Sequence, residues 1–335
     1  MDRALVVRFS SIGDVVLTSP IVRSLCEHGF KVDFLTKRAF ADLVRYNPAV
    51  ERVWALEDYK SFSELVSALK KERYSAIFDL HGNLRTLRLR LAMFKTPFYT
   101  YDKCWLNRFL YVNFKIQREC KHVVLRYAQT LRKAEIPFLN RGLELHLPSG
   151  LDVPDLPDNY WVLVVGAAHR TKQIPEDKGA YLLDTIGGNS VLLGGKKELE
   201  SAKEILKLTS RRDVLSLVGK LSLLESAYVI KNARFIVTPD TGMMHIAAAF
   251  RKPMIVIWGN TVPEFGMGPY VPEQHVPIFQ FEVKGLKCRP CHKHGRDKCP
   301  KGHWSCMYKQ DWGSIVEAGR TLCNYETIRT HKASH

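Results

Sequence analysis

Short apolar runs recur along this chain, each followed by a polar or glycine-bearing loop and then an amphipathic stretch of helical length. In the first half, Ala4–Phe9, Lys31–Leu35 and Ala76–Asp79 read as strands, with a helix over Val15–Cys26. The segment Leu147–Asn159 contains three prolines and has almost no periodicity, which marks a linker. Beyond it the pattern restarts with Tyr160–Val165, Ser190–Leu193, Asp213–Leu217, Phe235–Thr238 and Met254–Trp258. Strands this short and apolar are buried on both faces, as in a parallel sheet flanked by helices. The expected fold class is α/β, with two doubly wound domains over 1–150 and 158–335. A length of 335 residues, too great for one typical core, agrees with that division.

Fifty Lys and Arg against 34 Asp and Glu give a formal net charge of +16, which favours nucleic acid, anionic lipid or phosphorylated small molecules as partners. The opening run Met1–Phe9 is broken by Arg8 and lacks a small-residue cleavage site, unlike a signal peptide. Other apolar runs, such as Trp161–Ala168, are too short to span a bilayer. A cytosolic protein with mostly reduced cysteines is expected.

In doubly wound sheets ligands bind outside the carboxyl ends of the strands, so the loops there carry the functional signal. The stretch Val237–His245 is the most informative. It reads as a strand end, a polar turn at Asp240, Thr241 and Gly242, and the start of a small-residue helix through Met243 and His245. The first amides of a helix lack intrahelical partners and carry partial positive charge, so a phosphate gains hydrogen bonds and a favourable dipole there. Taken alone, Asp240 or Thr241 is also an ordinary helix cap.

Four other loops keep it company. Ser10–Asp14 follows the first strand; Gly13 admits close approach of a ligand, and Asp14 suits either a general base or a capping residue. A G-x-G-x-x-G fingerprint is absent, which disfavours a nicotinamide or flavin enzyme. Gly166–Pro175 brings His169, Arg170, Thr171 and Lys172 to a strand end, a set suited to a diphosphate, although a solvated basic loop reads the same way. Leu193–Glu198 pairs two glycines with a carboxylate able to accept from ribose hydroxyls. Trp258–Tyr270 adds glycines and polar side chains. Together these loops suggest a nucleoside-diphosphate site on the second domain, with Asp14 facing it across a cleft.

With these segments in order, the chain resembles the ADP-heptose:lipopolysaccharide heptosyltransferases and their relatives in glycosyltransferase family 9. The resemblance rests on Ser10–Val15, Thr171-Lys172 with Pro175, Gly194-Gly195 with Glu198, and the run from Gly219 to His245. It implies a GT-B architecture of two Rossmann-like domains, the acceptor on the first and the nucleotide sugar on the second. It further implies an inverting transfer with Asp14 as general base, and a leaving diphosphate stabilised by Lys172 and the amides of Thr241, Gly242 and Met243. No catalytic metal or other cofactor is required on this reading. Thr171 joins the donor site, Glu198 holds the ribose, the main chain near Leu221 borders the base, and Asp240 binds sugar hydroxyls. His245 reaches a phosphate or serves as a structural hydrogen-bonding group. On the acceptor side Ser11, Gly13 and His81 are the expected contacts, with Arg85 and Arg88 meeting the acceptor's phosphate. The chain departs from the family pattern at Ile174, where members often have an aromatic residue, and at Ala167-Ala168, where some supply hydroxyl groups.

Between Leu84 and Lys133 there are twelve Lys or Arg against only Asp102 and Glu119, with Phe94, Tyr99, Tyr101, Trp105 and Phe109 among them. A solvated helical face accounts for such a skew, but an anionic lipid surface or a phosphorylated glycolipid suits it better. A location on the inner face of the inner membrane follows, with a nucleotide-sugar donor, a glycolipid acceptor and no nucleic acid as partners. Another nucleotide sugar, or a nucleotide-sugar epimerase on the same scaffold, is the nearest enzymatic alternative.

The cysteines offer a rival. Cys288, Cys291, Cys299 and Cys306 fall in a C-x2-C-x7-C-x6-C run with His292, His294 and His303 between them, a spacing similar to small zinc-binding knots. Structural zinc, a disulfide pair and unliganded thiols are its three readings. With the basic charge, the run also fits a zinc-containing nucleic-acid-binding protein, which leaves the glycine and aspartate loops unexplained.

Overall fold

Eleven strands form two wholly parallel sheets in the computed structural model of the protein, which describes residues 2–272 and 275–332. The first sheet contains β1 (Arg3–Val7), β2 (Lys31–Thr36), β3 (Arg52–Ala55), β4 (Ala76–Asp79) and β5 (Phe98–Thr100), in the order β3-β2-β1-β4-β5. The second contains β6 (Trp161–Val164), β7 (Ser190–Leu193), β8 (Leu215–Ser216), β9 (Ile236–Pro239), β10 (Met254–Trp258) and β11 (Ile278–Glu282), in the order β11-β10-β9-β6-β7-β8. In each sheet the chain winds outward from a central strand and then returns to that strand's other side, so the order reverses between β1 and β4 and between β6 and β9.

Every interior strand coincides with one of the expected apolar runs. The strands without a matching run, β3, β5 and β11, are all at sheet edges, and the expected Asp213–Leu217 shrinks to two residues at the fourth edge, β8. Interior strands are covered on both faces, and Ile255, Val256 and Ile257 of β10 are fully buried. Each such side chain contributes about 1.5–3 kcal/mol relative to an exposed one. An edge strand has no such requirement: β3 begins on an exposed Arg52, and β11 has no buried residue, with Gln280 exposed.

The expected helix over Val15–Cys26 is split into Ile12–Val16 and Ser19–Glu27. Pro20 has no N–H to give the carbonyl of Val16, and the Ser19 hydroxyl donates to that carbonyl instead, at 2.9 Å. The Thr18 hydroxyl does the same for Val15 at 2.7 Å.

Two compact units follow the two sheets. The first gathers Met1–Trp105, Lys121–Pro148 and Tyr270–Glu273; the second gathers Leu106–Cys120, Ser149–Pro269 and Gln274–His335. The basic, aromatic stretch after Leu84 is therefore divided between the units. Its middle part belongs with the second, where Lys115 donates to the carbonyl of Pro290 at 2.7 Å and Tyr111 meets Phe265 edge-on. The core of the first unit centres on Leu5, Val7, Phe9, Leu35 and Ile77. That of the second centres on Leu163, Val237, Ile255 and Ile257, with Trp161 stacked flat on Phe235 at 5.6 Å. Among the described residues no helix is long and apolar enough to cross a membrane.

Candidate active site

The first unit places its candidate residues where the sheet order reverses. The loop after β1 carries Arg8, Ser11, Gly13 and Asp14; the loop after β4 carries His81. Asp14 is in the first turn of the helix Ile12–Val16 and accepts the Ser11 hydroxyl at 2.9 Å and the Ser11 N–H at 3.2 Å. That is the capping role expected as one of its two readings. It has a second partner, the guanidinium of Arg8, with Nη2 at 2.7 Å from Oδ2. In the sequence Arg8 stands out only as a break in an apolar run. In the structure it is buried, and it ties the two loops together by donating to the carbonyls of Ser10 at 2.6 Å and Leu80 at 2.5 Å. Burial works against its charge, but Asp14, Tyr127 and Tyr101 outweigh that, so Arg8 holds its proton more firmly than a free arginine.

His81 follows a turn closed by Asp79, whose carboxylate accepts the N–H of His81 at 2.9 Å and of Gly82 at 2.8 Å. Gly82 has φ +60°, and a Cβ there would come within 3.0 Å of the Lys103 side chain, so the turn calls for glycine. The His81 ring packs edge-on against Phe9 at 5.0 Å. Burial, then the positive charges of Arg8 and Lys103, push its pKa down to about 3, so it is a neutral imidazole. Arg85 and Arg88 stand exposed on the next helix, over the rings of Phe9 and Phe62.

The second unit repeats the arrangement on a larger scale. Because all its strands are parallel, the loops after β10, β9, β6, β7 and β8 leave one edge of the sheet in that spatial order. Lys172 follows β6 and Asp240 follows β9, so they flank the reversal point, and Lys172 Nζ lies 2.6 Å from Asp240 Oδ2. The Thr261 hydroxyl, from the loop after β10, donates to the same carboxylate at 2.7 Å. The cap of the helix Gly242–Ala249 is Thr241, whose hydroxyl accepts from Met243 at a long 3.5 Å. Asp240 is thus a partner for the lysine rather than a cap. Gly242 and Met243 are half-buried at the helix start, and His245 is buried one turn in.

The three basic side chains of the loop after β6 do not point to one place. Arg170 makes two bonds of 2.7 Å with Glu176 and lies over the Trp304 ring, while His169 stands 3.3 Å from Asp297. Lys172 is the one directed to the reversal point. Thr171 is buried and turned toward the cysteine-bearing segment: its hydroxyl bonds the main chain of Arg296 and lies 3.0 Å from the Asn260 amide. Glu198 accepts the N–H of Gly195 at 2.9 Å and lies against Gly166, where a Cβ would meet its carboxyl at 3.1 Å. Leu221 is half-buried in the turn after β8, next to Gly219, whose N–H reaches the carbonyl of Gly194. Asn260 and Thr261 meet partners on other strands' loops, Thr171 and Asp240, whereas Arg8 ties its own loop to the carbonyl of Leu80 after β4.

The family model of glycosyltransferase family 9 (heptosyltransferase) matches residues 62–295 of this chain. The chain belongs to glycosyltransferase family 9. Within that family it is similar to the lipopolysaccharide heptosyltransferase 1 of Pseudomonas aeruginosa, 28% identical over 295 residues that cover 78% of this chain and 80% of that protein. The solved structure of the family 9 glycosyl transferase from Veillonella parvula matches it with a TM-score of 0.75 at 19% identity, covering 96% of this chain and 98% of that one. The Escherichia coli heptosyltransferase WaaC with ADP matches with a TM-score of 0.60 at 24% identity, covering 83% and 93%. The fold is therefore GT-B, as the sequence resemblance implied, and the protein is a glycosyltransferase.

Proposed function

We propose that this family 9 enzyme transfers a heptose from ADP-heptose to a phosphorylated acceptor of the lipopolysaccharide inner core, with inversion at the anomeric carbon. The observation that carries the reading is the Lys172–Asp240 pair beside the start of the helix Gly242–Ala249, at the reversal point of the second sheet. A lysine and a helix N-terminus stabilise the charge that develops on a departing diphosphate by fixed dipoles and one ammonium. The ADP in the related WaaC structure supports the choice of nucleotide.

The chemistry runs as one displacement. Asp14 takes the proton of the acceptor hydroxyl, the oxygen bonds to the anomeric carbon as its bond to the diphosphate oxygen breaks, and ADP leaves. Lys172 and the amides of Thr241, Gly242 and Met243 receive the diphosphate, and Asp240 then turns to the sugar hydroxyls. Glu198 holds the ribose and Leu221 borders the base. Arg8 pairs with the Asp14 carboxylate and holds it in place. Ser11, Gly13 and the neutral His81 border the acceptor, and Arg85 and Arg88 meet its phosphate.

The helix Leu84–Ala92 and its exit support a membrane-borne acceptor. Leu84, Leu87, Leu91 and Phe94 are exposed there, interleaved with exposed Arg85, Arg88, Arg90 and Lys95. Apolar side chains among cations fit an anionic lipid surface.

Thermal-shift titration with ADP, UDP and GDP and their sugar conjugates tests the donor, since a ligand bound only by the folded state raises the melting temperature. ADP and ADP-heptose should shift it most. Stabilisation by UDP conjugates alone would overturn the donor assignment, and conversion of the nucleotide sugar without acceptor would make the protein an epimerase.

A further inference from the structure

The cysteine-bearing segment is where the chain carries chemistry that glycosyl transfer does not use. Cys288, Cys291, Cys299 and Cys306 line a single small cavity, together with His303 and the side chain of Arg289. They come from well-separated turns of a stretch that has almost no regular secondary structure between β11 and the short helix Ser305–Tyr308. All four are free thiols. A segment with so little backbone pairing of its own needs another source of order, and four thiols around one cavity are the donor set of a soft, tetrahedrally coordinated metal.

We propose that these four cysteines bind one zinc or ferrous ion, which fixes the segment and through it the loops of the donor site. Loading replaces four S–H bonds by four sulfur–metal bonds and releases four protons to solvent. Among the described residues no three His, Cys, Asp or Glu side chains already converge at coordinating spacing, so the thiols turn inward about their Cα–Cβ bonds as they bind. The resulting tetrathiolate is dianionic, and Arg289 and Lys301, on the same cavity wall, offset that charge. His303 Nε2 lies 3.9 Å from Cys288 Sγ and serves as a neighbouring donor to the thiolate.

What the ion would hold in place is specific. Arg289, next to the first cysteine, donates to the carbonyls of Gly259 and Thr261, both at 2.7 Å, and pairs with Glu282 at 2.6 Å. Arg296, between the second and third, exchanges main-chain bonds with Thr171, and the Trp304 indole donates to the Thr171 carbonyl at 3.3 Å. Gly259 is held so close that an added Cβ would meet the Thr171 carbonyl at 2.7 Å. The segment thus clasps the loop of Lys172 and the loop of Thr261, the two partners of Asp240. This positioning role rests on the proposed donor site; the metal site does not.

The test is metal analysis of full-length protein purified without chelator from cells grown with added zinc or added iron, followed by cobalt(II) reconstitution. One metal ion per chain and thiolate-to-cobalt charge-transfer absorption are expected, with the favoured metal read from the two growths. Cys291→Ser and Cys299→Ser should lose both signals, and Cys26→Ser should keep them. If those variants do not fold, Arg289→Met should still weaken cobalt binding about tenfold. Background metal in both growths and no cobalt–thiolate absorption in wild-type protein would overturn the site, whatever its activity. A metal-loaded protein whose ADP affinity is unchanged on stripping would keep the site and overturn its positioning role. A metal-loaded protein that binds no ADP would instead count against the donor reading.

Discussion

Lys172 and Asp240 form a 2.6 Å ion pair across the point where the second sheet reverses its strand order, with only 12% of either side chain exposed. A pair so enclosed is costly to break from one side, because the remaining charge is left without its partner. In the proposed reaction its ammonium also receives the departing diphosphate, and both properties can be measured.

Lys172→Met should lower kcat by about 10²–10³, the usual cost of one donor to a developing anion. It should also destabilise the fold by about 3 kcal/mol through the uncompensated Asp240. Adding Asp240→Leu should restore most of the stability and none of the activity. Urea midpoints and steady-state rates on the single and double variants decide; recovery of turnover in the double variant would remove Lys172 from the chemistry.

Asp14→Asn should reduce transfer by about 10²–10⁴ while leaving ADP affinity within about twofold, since a general base acts on the acceptor and not on the nucleotide. Isothermal titration with ADP beside the transfer assay separates the two effects. Near-normal turnover would end the general-base assignment.

Arg8 stands 2.7 Å from the Asp14 carboxylate and donates to the carbonyls of Ser10 and Leu80, so it fixes where that carboxylate sits. Arg8→Met should therefore lower kcat/KM by about 10²-fold through misplacement of Asp14, and Arg8→Lys should return part of that loss. A folded Arg8→Met variant with unchanged kcat/KM would remove Arg8 from the positioning of Asp14.

His81 is held neutral, with a pKa pushed down to about 3 by burial and then by Arg8 and Lys103. In the unfolded chain a histidine titrates near 6.5, so between about pH 6.5 and 3 the unfolded state binds the extra proton. Stability is then full above the unfolded value and falls as the pH drops through that window. Melting temperatures measured across it should decline, and His81→Phe should flatten the decline. An unchanged slope in the variant would place the acid sensitivity elsewhere.

The sequence by itself determined the interior of both sheets and the loops that leave them. Burial on both faces demands unbroken apolar runs, and glycine and capping residues act within a few positions of their own turn, so β1, β6 and β10 and the turn at Asp240 to Gly242 could all be read locally. The edges β3, β5 and β11 were not legible in that way, and β8 was read too long, because a strand covered on one side only has no obligation to be apolar. Tertiary structure alone decided that Asp240 partners Lys172 while Thr241 caps the helix, that Arg8 joins its own loop to the carbonyl of Leu80 after β4, and that the cysteine segment wraps the loops after β6 and β10. The bond between Thr171 and Arg296 joins positions 125 residues apart. Such pairings depend on which strands the fold sets side by side, and no local pattern records them.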